Sequence, residues 1–284
     1  MSSPLPVRVI TPQAGLAGFR EAFLSLFTAW TTAGPLAWRF FLRDTRAAHR
    51  QSLLGYFWVI LPPLANTLVW VFLNNGDVVR IDSGNVPYPI FVLAGTILWA
   101  SFNGSLVAML GTINDGKGLL SKINFPQESL VYKSFLKSLV EGGIPALLLI
   151  PAIFFYGIGW HIGILLFPLS VIASLLLGSA IGLILAPITA LYHDVSRGMQ
   201  LILRFGFFLT PVIFPLPAAG MPRLLMLINP VTPILVSGRA WLTGSGEAMP
   251  VAFLVVVMIC LALLAFGLVI YKVVLPTLIE RLSS

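Results

Sequence analysis

The chain of 284 residues is 58% hydrophobic and only 10% charged, with a formal net charge of +7 and a single cysteine. A water-soluble domain carries about 25% charged residues, so this composition excludes a soluble globular protein and points to a lipid bilayer. Excess Lys and Arg in a membrane chain normally sits on the cytoplasmic side, so the charge is no argument for nucleic acid, and lone Cys260 makes no internal disulfide.

Residues 1–34 read as a cytoplasmic segment. They contain Pro4, Pro6, Pro12 and Glu21 and lack the short apolar core of a signal peptide. Residues 35–51, "PLAWRFFLRDTRAAHRQ", predict a helix lying on the inner membrane surface. Pro35 suits its first turn, Trp38, Phe41 and Leu42 make an apolar face, and Arg39, Arg43, Arg46 and Arg50 make the other face basic. A spanning helix needs about 20 mostly apolar residues. Six segments qualify, at roughly 53–73, 88–113, 129–158, 162–190, 198–214 and 249–274. They are read as helices because lipid offers no partner for free backbone groups and the alternation of barrel strands is absent. The stretch 215–248 is apolar but broken by Pro and Gly, which predicts short re-entrant or interfacial helices before the last span. Residues 275–284 form a tail. No repeat and no soluble domain interrupts what reads as one membrane domain over 1–284, an all-α integral membrane protein.

With the N-terminus inside, fourteen of the 17 basic residues fall on the cytoplasmic side, and Arg80, Arg223 and Arg239 fall outside. That asymmetry predicts six spans with both termini cytoplasmic.

"GTINDGKG", Gly111 to Gly118, comes within one residue of a phosphate-binding loop, G-x-x-x-x-G-K-[ST]. A working loop needs a strand before it and a Ser or Thr on the magnesium, and here a membrane helix precedes it and Gly118 replaces the hydroxyl. The stretch reads as a Gly-rich turn leaving the second span. The next residues, "KGLLSKINFPQES", give one apolar edge from Leu119, Leu120 and Ile123. Such a segment suits a partner's groove or a solvated turn, and spacing alone leaves both open.

Lys133, Lys137 and Glu141 fall on one stripe of the third span. Snorkelling of the lysines and a Lys137–Glu141 pair are the ordinary readings; a proton relay through Glu141 would make the chain a secondary transporter. Ser174, Gly178 and Gly182, four residues apart, allow close helix packing within the chain. His49, His161 and His193 are isolated, so no metal site is expected. Aromatic rings at Tyr56, Phe57, Trp58, Trp70, Trp99 and Phe102 suit a sugar pathway, because sugars stack their C–H faces on rings. The same rings also suit ordinary packing or an interfacial belt, the latter above all for Trp70 and Trp99 near the outer ends of the first two spans.

Four stretches carry a family resemblance: "RDTRAAHRQSLLGYFWVILPPL" at 43–64, "VPYPIFVLAGTILWASF" at 86–102, "KINFPQESL", and "LTPVIFPLP" with "LINPVTPILVSGRAWL" over 209–242. In order and spacing the chain resembles the permease subunit of bacterial ABC exporters for lipid-linked polysaccharides, such as O-antigen, capsule and teichoic acid. It departs where Gln127 replaces the family's usual Arg and His193 a usual basic residue. The resemblance implies a homodimer working with two separate ATP-binding subunits in the bacterial inner membrane, so that the chain is not itself an enzyme. It holds no cofactor; ATP and Mg act in the partner. Residues 114–128, with Leu119, Leu120, Ile123 and Glu128, are then the coupling segment docked on that ATPase. Arg39, Arg43, Arg46 and Arg50 meet lipid diphosphate headgroups, and the six aromatic residues line the polymer channel. A proton-coupled transporter, or an ABC permease for drugs or small lipids, is the alternative.

Overall fold

The computed structural model describes residues 31, 33–48, 52–120, 125–246 and 248–283, with side chains described as far as 278. Among them there are helices and turns and no strand. Helix α1 covers 33–48. It is followed by α2 (Phe57–Asn75), α3 (Tyr88–Leu110), α4 (Thr112–Leu120), α5 (Glu128–Ala146) and α6 (Leu149–Phe155). A 3-10 turn at Ile162–Leu166 leads into α7 (Phe167–Leu191), then α8 (His193–Phe208), α9 (Met221–Ile228), α10 (Val231–Thr243) and α11 (Pro250–Ser283).

Five stretches are long and apolar enough to cross a bilayer: Phe57–Asn75, Tyr88–Leu120, Glu128–Phe155, Ile162–Leu191 and Pro250–Leu278. They answer to the first, second, third, fourth and last expected spans. The first starts later than expected because Gly55 takes a positive φ of 51° and its N–H bonds Ser52 Oγ at 3.0 Å, a turn that delays the helix.

Helix α3 is the axis of the bundle. Ile90, Val92, Ala94, Ile97, Leu98 and Leu106 are buried along it. Helix α7 lies against it with backbones nearly touching. A Cβ on Gly178 would come within 2.2 Å of the Phe102 carbonyl, and one on Gly182 within 2.5 Å of the Leu106 carbonyl. The Ser174–Gly178–Gly182 row is thus packing within the chain. Hydroxyls fasten the other neighbours: Thr67 to Thr96 (3.2 Å) joins α2 to α3, and Thr112 to Ser134 (2.8 Å) joins α4 to α5. At the far end, Thr189 Oγ1 of α7 donates to the Leu110 carbonyl at 2.8 Å.

The fifth expected span, 198–214, is corrected. Its helix, α8, runs instead over His193–Phe208, only 16 residues and amphipathic. At 1.5 Å per residue it reaches about 24 Å, short of a hydrocarbon core of about 30 Å. The chain nonetheless travels from one end of the bundle to the other here. Residue 193 follows α7 at the Leu110 end, whereas the Ile213 carbonyl accepts a bond from Tyr88 Oη (3.2 Å) at the opposite end. The remaining distance is covered by a non-helical stretch whose residues Thr210, Val212 and Ile213 are buried. A search for uninterrupted helix misplaces such a crossing, because its last turn and a half is irregular backbone packed in protein.

The expected re-entrant region is present. Helices α9 and α10 meet at 94° across a short break. Asn229 at the bend bonds Thr210 Oγ1 (2.7 Å), and the far end of α10 returns to the loop that precedes α7, where His161 reaches the Trp241 carbonyl.

The tight α3–α7 seam yields a stability prediction. Gly178→Ala must push α7 away from a backbone carbonyl and should lower stability by about 1–3 kcal/mol. Gly104→Ala, on α3 with nothing within 4 Å of the added carbon, should leave stability unchanged or slightly raised. Thermal unfolding of the two variants in nanodiscs checks the difference.

Candidate functional site

At the Leu110 end, α4 follows α3 after one residue. Gly111 keeps helical angles (φ −80°, ψ −10°), so it bends the chain without ending the helix. "GTINDGKG" is therefore helical rather than the expected turn. The Asp115 N–H is bonded to the Gly111 carbonyl at 2.9 Å, and a Cβ on Gly116 would lie 2.3 Å from Leu130 Cδ1 of α5. Gly116 thus serves helix packing, and the described residues of this stretch form a helix rather than a phosphate cradle. Lys117 and Gly118 face outward, while Leu119 and Leu120 are partly buried. Leu120 rests on a cluster containing Met109, Ile113, Val131, Tyr271 and Leu275. Ile123 lies outside the described residues.

Glu128 opens α5 and turns inward. It is 8% exposed and pairs with Lys272 Nζ of α11 at 2.5 Å. One residue away, Tyr271 Oη donates to the Gln127 carbonyl at 3.3 Å. The last helix thus grips the root of the α4–α5 connection. Glu128 is a joint inside this chain rather than a group offered to a partner.

Helix α1 packs by its row Ala33, Ala37 and Phe41, all buried. Trp38, expected on the same apolar face as Phe41, is 50% exposed. The inner row is set by small residues at four-residue spacing, which allow closer approach than an indole would. Arg39, Arg43 and Arg46 are exposed, and Arg50 lies outside the described residues. Arg43 pairs with Asp44 at 2.8 Å and lies over the Phe40 ring at 5.2 Å. The other oxygen of Asp44 accepts a bond from Lys133 Nζ of α5 at 3.0 Å. Lys133 is therefore a tie to α1, not a snorkelling lysine. Lys137 pairs with Glu141 at 3.8 Å, the ordinary reading of that stripe.

The six aromatic residues fall into different surroundings. Tyr56, Phe57 and Trp58 are exposed at the start of α2, with Phe57 and Trp58 edge-on at 6.5 Å. Trp70 is partly buried against the core. Trp99 and Phe102 are buried inside the chain, their rings 5.4 Å apart, with Phe207 of α8 a further neighbour of Trp99 at 6.0 Å. Trp99 also sits midway along α3, about 17 Å from Tyr88, so it is not the outer-end belt residue the sequence suggested.

One residue of consequence went unread as a site. The count of basic residues puts Arg239 of α10 among the external charges, yet it is 6% exposed. Its Nη2 donates to the carbonyls of Pro211 and, at 2.8 Å, Val212, and its guanidinium lies 3.9 Å from the centre of the Phe91 ring. Gly95 makes room: a Cβ there would lie 2.3 Å from the Val212 oxygen and 2.6 Å from Nη2. The available signal was an arginine amid the apolar run of the broken segment, and intramembrane charges are costly enough to require a purpose. Among the described residues no group of His, Cys, Asp or Glu is placed to hold a metal ion.

Comparison with known proteins matches residues 36–243 to the family described as ABC-2 type transporter. The chain is 28% identical over 204 residues, 70% of its length and 76% of the relative's, to the O-antigen export system permease protein RfbA of Myxococcus xanthus. It is 24% identical over 180 residues to the protein of the same name in Klebsiella pneumoniae, covering 61% of this chain and 66% of that one. It is 23% identical over 241 residues, 82% and 90% of the two chains, to the polysialic acid transport protein KpsM of Escherichia coli.

The α1 tie is sensitive to acid. Burial alone would raise the Asp44 pKa, but hydrogen bonds from Lys133 and Arg43, and their charges, outweigh it and hold the carboxylate below its ordinary value. The tie is then fully present above the unfolded pKa of about 3.9 and is lost as pH falls through the lower folded value. Asp44→Asn should remove it at every pH. Hydrogen exchange over 33–48 should be faster in the variant at neutral pH, and the two proteins should converge in strong acid.

Proposed function

The chain belongs to the ABC-2 type transporter family, and on that premise we propose that it carries a lipid-linked polysaccharide outward across the bacterial inner membrane. It is the membrane permease of an ABC exporter. The observation that carries the substrate class is its likeness to O-antigen and polysialic acid export permeases over most of the chain. In this reading the whole of 1–284 is one membrane domain, two copies form the pathway, and two ATP-binding subunits drive it. ATP and magnesium stay in those subunits.

The Leu110 end is cytoplasmic, because Lys117, Lys133, Lys137, Arg197 and Lys272 gather near it while Arg80 and Arg223 lie toward the other. Helix α4 and the residues after it dock on the ATPase. Its outward ridge, Lys117 and Gly118 with Leu119 beside them, makes the contact, together with Ile123. Glu128 acts one step inward, passing the displacement to α11 through Lys272. The exposed arginines of α1 receive the diphosphate headgroup. Tyr56, Phe57 and Trp58 follow directly after α1 in the chain and offer ring faces to the sugars. A proton-coupled mechanism has less support: Glu141 has Lys137 as its partner, and the acid on the neighbouring span Tyr88–Leu120, Asp115, is exposed near the Leu120 end of that span.

Gly118→Trp tests the docking. Nothing lies within 4 Å of a carbon added there, so the permease should fold and melt as before. The indole should nevertheless block the partner's groove, abolishing co-purification of the ATPase and export of the polymer. Lys117→Ala should leave nucleotide hydrolysis by the complex largely intact, where loss of a phosphate-loop lysine would nearly silence it. A Gly118→Trp chain that binds its ATPase normally would place the contact elsewhere. Export that stops with a protonophore while ATP is maintained would favour the secondary transporter.

A further inference from the structure

His161 stands in extended backbone (φ −144°, ψ 159°) between α6 and the 3-10 turn that starts α7. Its two ring nitrogens face two carbonyl oxygens: Nδ1 is 2.8 Å from the Gly159 oxygen and Nε2 is 2.8 Å from the Trp241 oxygen. A neutral imidazole has one N–H and one lone pair. It can donate to one of these oxygens only, and its lone pair then confronts the other. The imidazolium donates to both.

The surroundings are shaped for that cation. The Trp241 carbonyl belongs to the last turn of α10, where carbonyls lack partners along the helix and a positive charge is favoured. The helix ends at Gly244, in the left-handed region at φ +66°. A Cβ on Gly244 would lie 3.1 Å from His161 Nε2, and one on Gly163 would lie 2.6 Å from the Trp241 oxygen and 3.0 Å from the imidazole. Two glycines thus leave room for the ring and for the carbonyl it binds. The ring is only half buried, so protons reach it.

Among the described residues no other charge sets this ring's state. Arg239 shares α10 but turns its guanidinium to Pro211 and Val212. Tyr156 lies in the connection before His161, and the 3-10 turn and α7 carry no charged residue. Helix α11 carries none before Lys272; its Cys260 is buried eleven residues into the helix. Glu247, in the link from α10 to α11, lies outside the described residues.

We infer that His161 is a proton-dependent strap that holds the outgoing end of the re-entrant α9–α10 hairpin to the α6–α7 loop. Protonated, it caps α10 and closes the strap. On deprotonation one of the two bonds becomes a repulsive contact and the end of α10 is released. The medium at the Tyr88 end of the bundle then sets how firmly the hairpin is held, whatever the chain transports.

The test uses nitroxide labels at Ile162→Cys and Ala248→Cys, both exposed, in the full chain in nanodiscs, with Cys260 left buried. Label-to-label distances are compared at about pH 5 and about pH 8, the window in which a histidine changes charge. A narrow distribution in acid whose narrow component is lost at the higher pH is expected. His161→Gln should show no pH response, and His161→Lys, with a fixed cation, should stay narrow at both. If His161→Gln does not fold, the unsubstituted chain and His161→Lys still decide. The same distribution at both pH values in the unsubstituted chain, or a pH response that persists in either variant, overturns the strap.

Discussion

The carbonyls of Pro211 and Val212 have to be satisfied away from water, and much of the structure depends on how that is done. Helix α8 stops at Phe208, yet the chain has still to reach the Tyr88 end of the bundle. It does so through irregular backbone at membrane depth, which is tolerated only when protein supplies the missing donors. Arg239 supplies them for Pro211 and Val212, Tyr88 for Ile213, and Asn229 anchors Thr210 beside them. A guanidinium suits the task because it offers several donors in a fixed plane and its flat face stacks on an aromatic ring, here Phe91. Once Arg239 is placed, the re-entrant hairpin is placed. Gly95 then has no alternative, since any side chain on α3 at that point would occupy the space of the Val212 carbonyl.

The opposite end is organised by ion pairs rather than by backbone repair. Lys272 to Glu128 binds the last helix to the root of α5, and Lys133 to Asp44 binds α5 to the first helix. Helix α5 is thereby common to both ties. The root of the α4–α5 connection, the part proposed to meet the ATPase, is thus tied to both α1 and α11. In each pair one partner is buried, Lys133 or Glu128, and removing the other would leave that charge without its counter-ion, so the pairs define a relative position firmly. That property suits a coupling element, which must move its neighbours rather than slide past them.

Five of the six expected apolar spans, the helix before the first of them and the broken segment before the last were legible because each is written in contiguous composition. What was not legible depends on partners distant in the chain. Lys133 looked like a snorkelling lysine because Asp44 is 89 positions away. Arg239 looked like a loop charge because its acceptors lie 27 and 28 residues earlier, in a stretch that reads as a plain span. Trp99 and Phe102 could be recognised as motif residues, but a motif does not say which way a ring faces; α8 and α7 cover both. The Ser174–Gly178–Gly182 row was read correctly, since small residues at helical spacing have few other uses. The family itself was legible from ordered short motifs, which survive even where single positions such as Gln127 depart.

The central claim is that Arg239 is an internal donor holding irregular backbone, and one comparison tests it directly. The chain should be reconstituted in nanodiscs and its thermal unfolding compared with that of Arg239→Met, which keeps the apolar stem and removes the donors. Each buried carbonyl left without a partner costs about 1–3 kcal/mol, so the variant should be destabilised by several kcal/mol and melt well below the parent. An Arg239→Met chain that unfolds at the parent's temperature would contradict the account and put the guanidinium in the headgroup layer, with the 209–214 backbone held by something else.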